Sequence, residues 1–464
     1  MYKKITIITV LLLITTSFTI GYAQDTNSID GLLEKHIESS NIPGISAGVI
    51  KDNELIYKKA KGMVNDKEKL QTITPMFIGS LSKSITALGV MQLVEKDLIS
   101  LNDPIQKYIP YFNVNDLNDR NNITVQKLLN HRSGLINSNT LPDTTNNSSL
   151  KERITQLSNT DIKVDNMQEF HYFNDNYNIL GLLIEEVSGK PYSTYIKDNI
   201  FKPLEMSNTT AEYKQIIDQD VIGYTNFFGF SIKRNREVVK YDIPSGYILS
   251  NLEDMVKYLS FLIKGNPDIL SEESLEKMNT TIEDSNYAMG WYVKNNNGQK
   301  VVEHSGSLPG FNSQITIIPE ENSGFVYILN KNYMFNDLND NLFKVLTNQN
   351  EFNHFPYILI LRIAAVILSI LTLKDIWDIG KLLKAEKNKK EWINESVKSL
   401  LLGLFLLLGI MFILRNLLNL DISFQTIYMY TPDLAILWFI AIAVQFIRTI
   451  ISLYKLLFKR YKTS

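Results

Sequence analysis

Residues 77–84 read Phe-Ile-Gly-Ser-Leu-Ser-Lys-Ser and stand at the head of an amphipathic run. The apolar residues of this run recur at steps of three and four, the spacing of an α-helix: Leu81, Ile85, Leu88, Met91 and Val94. Ser80 therefore falls in the first turn of the predicted helix, and Lys83 follows one turn later on the same face. The stretch predicts a hydroxyl and an amine side by side at a helix N-terminus.

This serine–lysine pair is typical of a serine acyl-transfer enzyme. The positive end of the helix dipole favours the negative charge that grows on an attacked carbonyl oxygen. A partly desolvated lysine can lower its pKa and accept the serine proton. The alternative is a capping serine followed by a solvated lysine, because Ser-x-x-Lys also arises by chance.

A second polar stretch precedes another helical pattern. Residues 170–181 read Phe-His-Tyr-Phe-Asn-Asp-Asn-Tyr-Asn-Ile-Leu-Gly, with Tyr172 and Asn174 two positions apart. A tyrosine whose phenol is surrounded by cations can act as a general base, and an asparagine amide can orient a substrate carbonyl or the lysine. The alternative for Tyr172 is core packing with one satisfied hydroxyl.

A third stretch predicts the edge of a strand. Residues 301–307 read Val-Val-Glu-His-Ser-Gly-Ser. His304 can polarise a substrate carboxylate or relay a proton, Ser305 can donate a hydrogen bond, and Gly306 lets a substrate backbone lie close. The five histidines of the chain show no paired ligand spacing, so we expect neither a metal site nor a cofactor.

One serine motif elsewhere competes with Ser80. Residues 44–48, Gly-Ile-Ser-Ala-Gly, match the nucleophile elbow of α/β-hydrolases, which requires a strand before the serine and a helix after it. Here residues 45–50 are themselves strand-like, and a turn at residues 51–54 leads into a second strand. The pattern predicts a β-hairpin, so Ser46 is not expected to be the nucleophile.

Taken in chain order, Ser80-x-x-Lys83, Tyr172-x-Asn174 and His304-Ser-Gly306 resemble the three signature elements of the serine β-lactamase and penicillin-binding protein superfamily. The resemblance is to the branch that holds class C β-lactamases, D-aminopeptidase-type peptidases and β-lactamase-fold esterases. It covers roughly residues 29–331, with supporting segments at residues 98–110, 128–135, 202–206 and 289–291.

The resemblance implies an α+β fold, in which an antiparallel sheet from early and late strands is flanked by helices and faces a mostly helical lobe. It implies that Ser80 is the nucleophile, that Lys83 and Tyr172 handle protons, and that Asn174, His304, Ser305, Gly306 and Ser307 bind substrate. The backbone amides of Ser80 and Ser307 would form the oxyanion hole. Histidine stands at position 304 where class C β-lactamases have lysine, which disfavours efficient β-lactam hydrolysis.

The composition divides the chain into three regions. Residues 1–23 have the charged, apolar and small order of a secretory signal peptide, and an uncleaved anchor helix is the alternative. Residues 24–353 are mixed and globular in character. Residues 354–464 contain three apolar stretches, at about 355–373, 399–418 and 432–454, which predict three transmembrane helices. The absence of cysteine excludes a lipoprotein anchor, disulfides and thiol catalysis.

The charges between these stretches predict the topology. The loop at residues 374–398 carries five lysines between positions 381 and 390, and the C-terminus is also basic, so both are expected in the cytoplasm. The globular region would then be extracellular or periplasmic, on a multi-pass protein of the cell membrane. Arg362 and Arg448 within the spans either line a path for an anionic substrate or snorkel and pair inside the bundle. The net charge of −2, with both signs interspersed, does not suggest nucleic-acid binding.

The sequence thus predicts an exported, membrane-anchored serine hydrolase that cleaves an amide or ester next to a D-amino acid in cell-envelope material. The three-span tail is similar to two membrane-tethered subgroups of the superfamily, which leaves a peptidase that matures a nonribosomal peptide prodrug as an alternative. A non-catalytic, penicillin-binding-like envelope or immunity protein is the other alternative, since a fold alone does not fix a function.

Overall fold

The computed structural model describes residues 28–112, 123–135, 145–158, 169–234, 237–282, 285–296, 298–332, 337–349, 352, 357–409 and 431–458. The predicted signal peptide, residues 1–23, lies outside this part of the chain, as does the second half of the predicted span at 399–418.

An antiparallel sheet forms the centre of the globular region. The strands are, in chain order, β1 (Gly44–Lys51), β2 (Glu54–Gly62), β3 (Met76–Phe77), β4 (Gly223–Phe227), β5 (Phe230–Arg234), β6 (Leu249–Ser250), β7 (Tyr292–Asn296), β8 (Gln299–Leu308), β9 (Phe311–Ile318) and β10 (Ser323–Leu329). Six of these described strands form one sheet in the order β2-β1-β10-β9-β8-β7, while β3 pairs with β6 and β4 with β5. The early strands therefore lie beside the late ones, which confirms the predicted α+β arrangement.

Helices cover the sheet and build the second lobe. In chain order they are α1 (Ile29–Ser40), α2 (Ser82–Glu95), α3 (Val125–Leu129), α4 (Leu150–Ser158), α5 (Asn174–Ser188), α6 (Tyr192–Ile196), α7 (Tyr213–Asp218), α8 (Leu252–Lys264), α9 (Glu272–Met278), α10 (Asp337–Leu346), α11 (Tyr357–Lys384), α12 (Lys389–Leu404) and α13 (Pro432–Phe458). Helices α2 to α7 lie between β3 and β4 in the sequence, as the predicted helical lobe requires.

Alternate residues of a strand point to opposite faces of the sheet, and both faces of this sheet are covered by apolar clusters. In β10, Phe325 and Tyr327 pack into a cluster with residues of α1 and α10. The neighbouring Val326 and Ile328 belong to a larger cluster with α2, α8 and the helical lobe. The sheet is thus a middle layer, and the lobe side of that layer carries the site.

Strands β1 and β2 form the predicted hairpin. They pair in an antiparallel register, and the turn residues Asp52 and Asn53 have positive φ angles of 51° and 66°, as a tight hairpin turn requires. Ser46 lies inside β1 with its hydroxyl donating to the Ile328 carbonyl oxygen at 3.4 Å. The structure therefore confirms that the Gly-x-Ser-x-Gly stretch is not a strand–turn–helix elbow.

The helix after Ser80 differs from its prediction in two respects. Ser80 lies in a short 3₁₀ turn, Gly79–Leu81, and α2 begins only at Ser82. The prediction of an amphipathic helix is wrong, because every residue of α2 from Ser82 to Leu93 is buried. The helix runs between the sheet and the lobe and is therefore covered on all sides.

Three helices follow the globular region. Of the described helices, α13 is the one that is both long and apolar enough to cross a membrane, with 27 residues and a mean hydropathy of 2.2 over its most apolar window. The three-span topology therefore stays a prediction. The α13 residue Arg448 forms ion pairs with Asp375 of α11 and, at 2.7 Å, with Glu395 of α12. Arg448 is thus paired inside the bundle, the second of its two predicted alternatives.

Candidate active site

Two glycines bring the Ser80 turn against strand β8. Gly79 has a φ of +53°, and a Cβ atom at this position would lie 2.6 Å from the Ser307 backbone nitrogen. A Cβ atom on Gly306 would lie 2.0 Å from the Ile78 carbonyl oxygen. Strand β7 pairs with β8 only as far as Glu303, so the residues of β8 after Glu303 do not have β7 as a neighbour. Close contact of these backbones, which only glycine permits, sets Ser80 beside Ser307.

Lys83 is the centre of the site. Its Nζ atom lies 3.1 Å from Ser80 Oγ, 2.9 Å from Asn174 Oδ1 and 2.7 Å from the Ser245 carbonyl oxygen. The side chain is completely buried, and this burial lowers the pKa of Lys83 to about 7, although nearby Asp242 acts in the opposite direction. A neutral amine can donate to the two carbonyl-type oxygens and still accept the Ser80 proton.

Tyr172 contacts the same pair of residues. The Ser80 side chain acts on its hydroxyl, where it opposes the rise of the phenol pKa, and Lys83 Nζ lies 4.8 Å from the centre of its ring. Although 41% of the residue is exposed, desolvation of the hydroxyl raises the pKa of Tyr172 far above its ordinary value. The phenol is therefore neutral near pH 7, and of these two groups Lys83 is the better base.

Asn174 is the first residue of α5 and faces Lys83 through the contact already given. The backbone before it is held by His131, whose Nδ1 accepts a hydrogen bond from the Phe173 N–H at 3.2 Å and lies 3.0 Å from the Asn176 side-chain nitrogen. The His131 ring centre also lies 4.4 Å from that of Tyr172. Burial lowers the pKa of His131 well below its ordinary value, so this supporting group is neutral.

His304 is buried under the site instead of facing the cleft. Only 2% of the residue is exposed, and its Nδ1 lies 2.7 Å from the Ser305 carbonyl oxygen, which can only accept. Nε2 is then the acceptor for the Tyr287 hydroxyl at 3.1 Å. Burial and the proximity of Lys83 lower the pKa of His304 to about 3, so the ring is uncharged.

The remaining predicted residues follow the alternation of β8. Ser305 is exposed, Gly306 is buried and Ser307 is partly buried. The structure therefore brings Ser80, Lys83, Tyr172 and Asn174 into one contact group, with Ser307 at its margin. Among the described residues, no group of three metal-binding side chains has a suitable arrangement.

Several residues of the site escaped the motif analysis. The Ser245 carbonyl oxygen, 162 positions from Lys83, is one of its three partners, and the Ser245 hydroxyl donates to Asp242. Tyr177 and Tyr287 form the aromatic wall with His131, their ring centres 5.2 and 4.9 Å from that of the histidine. The segment at residues 128–135 had marked the His131 region through the family resemblance, whereas no local signal marked Ser245.

An antiparallel sheet, a helical lobe and a serine–lysine pair between them are typical of β-lactamase-like serine hydrolases. The Beta-lactamase family model matches residues 29–349. The chain therefore belongs to the β-lactamase family, and the predicted resemblance is confirmed.

Two relatives give the extent of this similarity. The chain is 32% identical over 317 residues to the protein flp of Staphylococcus aureus (strain MW2), a match that covers 66% of this chain and 63% of flp. It is 30% identical over 281 residues to the penicillin-binding protein PbpX of Bacillus subtilis (strain 168), covering 58% of this chain and 65% of PbpX. The chain thus spans somewhat less than two thirds of the length of these relatives.

Solved structures share the fold. An octameric penicillin-binding protein homologue from Pyrococcus abyssi has a TM-score of 0.63 and 27% identity, over 74% of this chain and 81% of the homologue. A D-amino acid amidase from Ochrobactrum anthropi SV3 has a TM-score of 0.59 and 25% identity, over 69% of this chain and 97% of the amidase.

Proposed function

We propose that this protein is an exported, membrane-anchored serine hydrolase that cleaves an amide or ester next to a D-amino acid through an acyl-enzyme on Ser80. The observation that carries the proposal is the Lys83 amine, buried and 3.1 Å from Ser80 Oγ. Its pKa of about 7 leaves much of it neutral at physiological pH. A serine needs such a base, because its own hydroxyl is a weak nucleophile.

In the first half of the reaction, Lys83 takes the Ser80 proton while Oγ attacks the substrate carbonyl carbon. The backbone amides of Ser80 and Ser307 stabilise the resulting oxyanion. The protonated Lys83 then returns its proton to the leaving nitrogen or oxygen, with the neutral Tyr172 hydroxyl, on which Ser80 acts, as the relay. The bond to the leaving group breaks, and the acyl group remains on Ser80.

In the second half, water replaces the leaving group. Neutral Lys83 or its relay through Tyr172 takes a proton from the water, whose oxygen attacks the acyl carbon. The bond from the acyl carbon to Ser80 Oγ breaks, and the protonated Lys83 returns the proton to Ser80 Oγ. Asn174 orients the acyl group with its amide. His304 supports the wall behind Tyr287, and a direct role toward substrate would require its ring to leave that partner.

The substrate class rests on the relatives. One structural neighbour is named a D-amino acid amidase and another a penicillin-binding protein homologue, and one sequence relative is named a penicillin-binding protein. Cell-envelope material contains the D-amino acids that this combination suggests. An extracellular catalytic region tethered by its C-terminal helices would stay close to such material, and the apolar α13 supports the tether.

A second function has a specific observation in its favour. A cavity of about 460 Å³ next to β8 is lined by Phe77, Tyr247, Leu308, Phe311 and Pro432, the first residue of α13. The last helix thus contributes to a wall near Ser307, as a peptidase that matures a membrane-associated peptide prodrug would need. Under this alternative, Pro432→Trp should slow cleavage of a long acyl-peptide but not of a small reporter.

A substitution further along the same helix controls for this test. Ile436 is 47% exposed on α13 and does not line the cavity, so Ile436→Trp should leave both rates unchanged. Equal rates for the Pro432 variant and wild type on the long substrate would remove the alternative.

The main proposal is tested by intact-mass analysis of the full-length, detergent-purified protein after exposure to a fluorophosphonate and, separately, to benzylpenicillin. We expect a fluorophosphonate adduct on wild type and none on Ser80→Ala. A lasting penicillin adduct would favour penicillin-binding chemistry, and its absence would favour an amidase or esterase. Folded wild type that forms no adduct with either reagent would favour the non-catalytic alternative instead.

A further inference from the structure

A second cavity, of about 300 Å³, adjoins the reacting serine on the side of Asn174. Its walls are formed by Tyr172, Phe173 and Asn174 together with Arg153, Asp175, Tyr241 and Asp242. Tyr172 contacts Ser80, and Asn174 contacts Lys83. A group attached to the carbonyl carbon that Ser80 attacks can therefore extend directly into this cavity.

The charges around the cavity do not cancel. The Arg153 guanidinium is bound in a two-point ion pair by Asp175, with Nε 3.1 Å from Oδ1 and Nη2 2.6 Å from Oδ2. Both partners of this pair are buried, and each satisfies the charge of the other. The Asp242 carboxylate is a second negative charge beside this pair, and it also acts electrostatically on the Arg153 guanidinium.

Asp242 is held in place by uncharged donors. Its Oδ1 atom accepts hydrogen bonds from the Asn178 side-chain nitrogen, at 2.9 Å, and from the Ser245 hydroxyl. Of the residues that the structure describes, none donates a hydrogen bond to its other oxygen, Oδ2. A fixed carboxylate with one unoccupied oxygen at a cavity wall is a receptor for a cationic donor.

We propose that this cavity binds the protonated amine of the substrate's acyl part, with Asp242 as its counter-ion. The inference rests on the proposed function and narrows its substrate class. Preferred substrates are amides or esters of an amino acid whose α-amine is free, and N-acylated analogues are disfavoured. A bound ammonium would act on Asp242 in the same direction as Lys83, and against burial, which raises the pKa of this carboxyl group.

The competing explanation is that Asp242 serves Lys83 alone. Its charge does raise the pKa of Lys83, against the effect of burial. Such an effect would act on every substrate alike, because it changes the base and not the recognition. The ratio of the rates for a free amine and for an acylated amine therefore separates the two explanations.

The test compares D-alanine p-nitroanilide with N-acetyl-D-alanine p-nitroanilide on the full-length protein. We expect wild type to prefer the free amine, and Asp242→Asn to lower kcat/KM for that substrate by about 10- to 100-fold, the range of a charge-assisted hydrogen bond. A change in the basicity of Lys83 affects both substrates alike, so kcat/KM for the acetylated substrate should fall at least about tenfold less than kcat/KM for the free amine in the same variant. Asp242→Glu, which keeps the charge, should retain part of the preference, and the exposed, distant Asp268→Asn should retain all of it.

A binding measurement keeps the inference testable without turnover. Ser80→Ala protein is titrated with D-alanine amide and with N-acetyl-D-alanine amide, and we expect tighter binding of the free amine, lost in the Ser80→Ala/Asp242→Asn double variant. Equal binding of the two amides, or an unchanged rate ratio in Asp242→Asn, would overturn the inference. Failure of wild type to hydrolyse either anilide and a reporter ester would count against the proposed function, whereas the titration would still decide on the amine site.

Discussion

The pH dependence of Ser80 acylation follows directly from the environment of Lys83. Burial lowers the pKa of this lysine to about 7, from an ordinary value of 10.5. At pH 7.5 a lysine of ordinary pKa is neutral about 0.1% of the time, whereas a pKa of 7 makes roughly three quarters of it neutral. The environment thus raises the concentration of the active base by almost three orders of magnitude.

The assay is the second-order rate constant for inactivation by a fluorophosphonate between pH 5 and 9, with intact mass as the check on stoichiometry. We expect a single acidic limb with its midpoint near pH 7, and a rate at pH 5 that is about 1% of the plateau. Ser80→Ala should be inert at every pH. Lys83→Arg should lose at least about 100-fold, since a guanidinium cannot be deprotonated at these pH values.

Tyr172→Phe decides between the two candidate bases. Burial raises the pKa of Tyr172 so far that a tyrosinate is not available in this pH range. The variant should therefore react more slowly but keep the midpoint near pH 7. A wild-type midpoint above pH 9, or a midpoint that disappears in Tyr172→Phe, would refute Lys83 as the base.

Three further outcomes are expected. Lys83→Met should raise the free energy of unfolding at pH 7 by about 1–3 kcal/mol in denaturant titrations. The pKa of native Lys83 lies below its unfolded-state value, so the lysine destabilises the fold most below pH 7, and this effect fades toward pH 10.5. Equal stabilities of the variant and wild type at pH 7 would contradict this. Tyr287→Phe should lower the free energy of unfolding by about 1–3 kcal/mol, since it leaves buried His304 Nε2 without its donor. The same variant should keep the midpoint of the acylation pH profile near pH 7. Arg448→Ala should lower the free energy of unfolding by about 3–5 kcal/mol, because the Asp375 carboxylate, only 19% exposed, loses its ion pair. Thermal unfolding in detergent measures this loss, and the double variant Arg448→Ala/Asp375→Ala should recover part of it.

The order of three short motifs was sufficient to predict the fold. Each motif alone is uninformative, but Ser80, Tyr172 and His304 occur in the order of a known architecture, and the pairing of early with late strands follows from that architecture. The hairpin after Ser46 followed from local turn chemistry, because Asp and Asn tolerate the positive φ that the turn needs. These features depend on motif order and on neighbours in the sequence, and they can therefore be predicted from the sequence.

The environment of the site depends on distant contacts and was not predictable in the same way. Helical spacing in residues 81–94 was interpreted as one apolar face, but the sheet and the lobe enclose α2 on all sides. The burial of Lys83 follows from that enclosure, and its partner Ser245 comes from a segment 162 positions away. His304 was expected to face substrate, yet Tyr287 takes its Nε2 atom. In each case the packing around the residue, and not the residue type alone, determines its burial, its protonation state or its hydrogen-bond partner.

The charge balance of the cleft connects these observations to substrate choice. Apart from Asp242, the walls around Lys83 are aromatic or neutral, because burial holds His131 and His304 in their uncharged forms and desolvation holds Tyr172 in its phenol form. Burial alone therefore allows Lys83 to lose its proton, and none of these neighbouring groups is a permanent cation.

A lysine at position 304 would have supplied such a cation, and a substrate carboxylate would have been its natural partner. With a neutral, buried histidine there instead, the β8 side of the cleft offers no permanent positive charge at that position, while Asp242 offers a negative one at the wall of the second cavity. The two differences act in the same direction. They disfavour β-lactams and peptides that end in a free carboxylate near the scissile bond, and they favour acyl donors that carry a free amine.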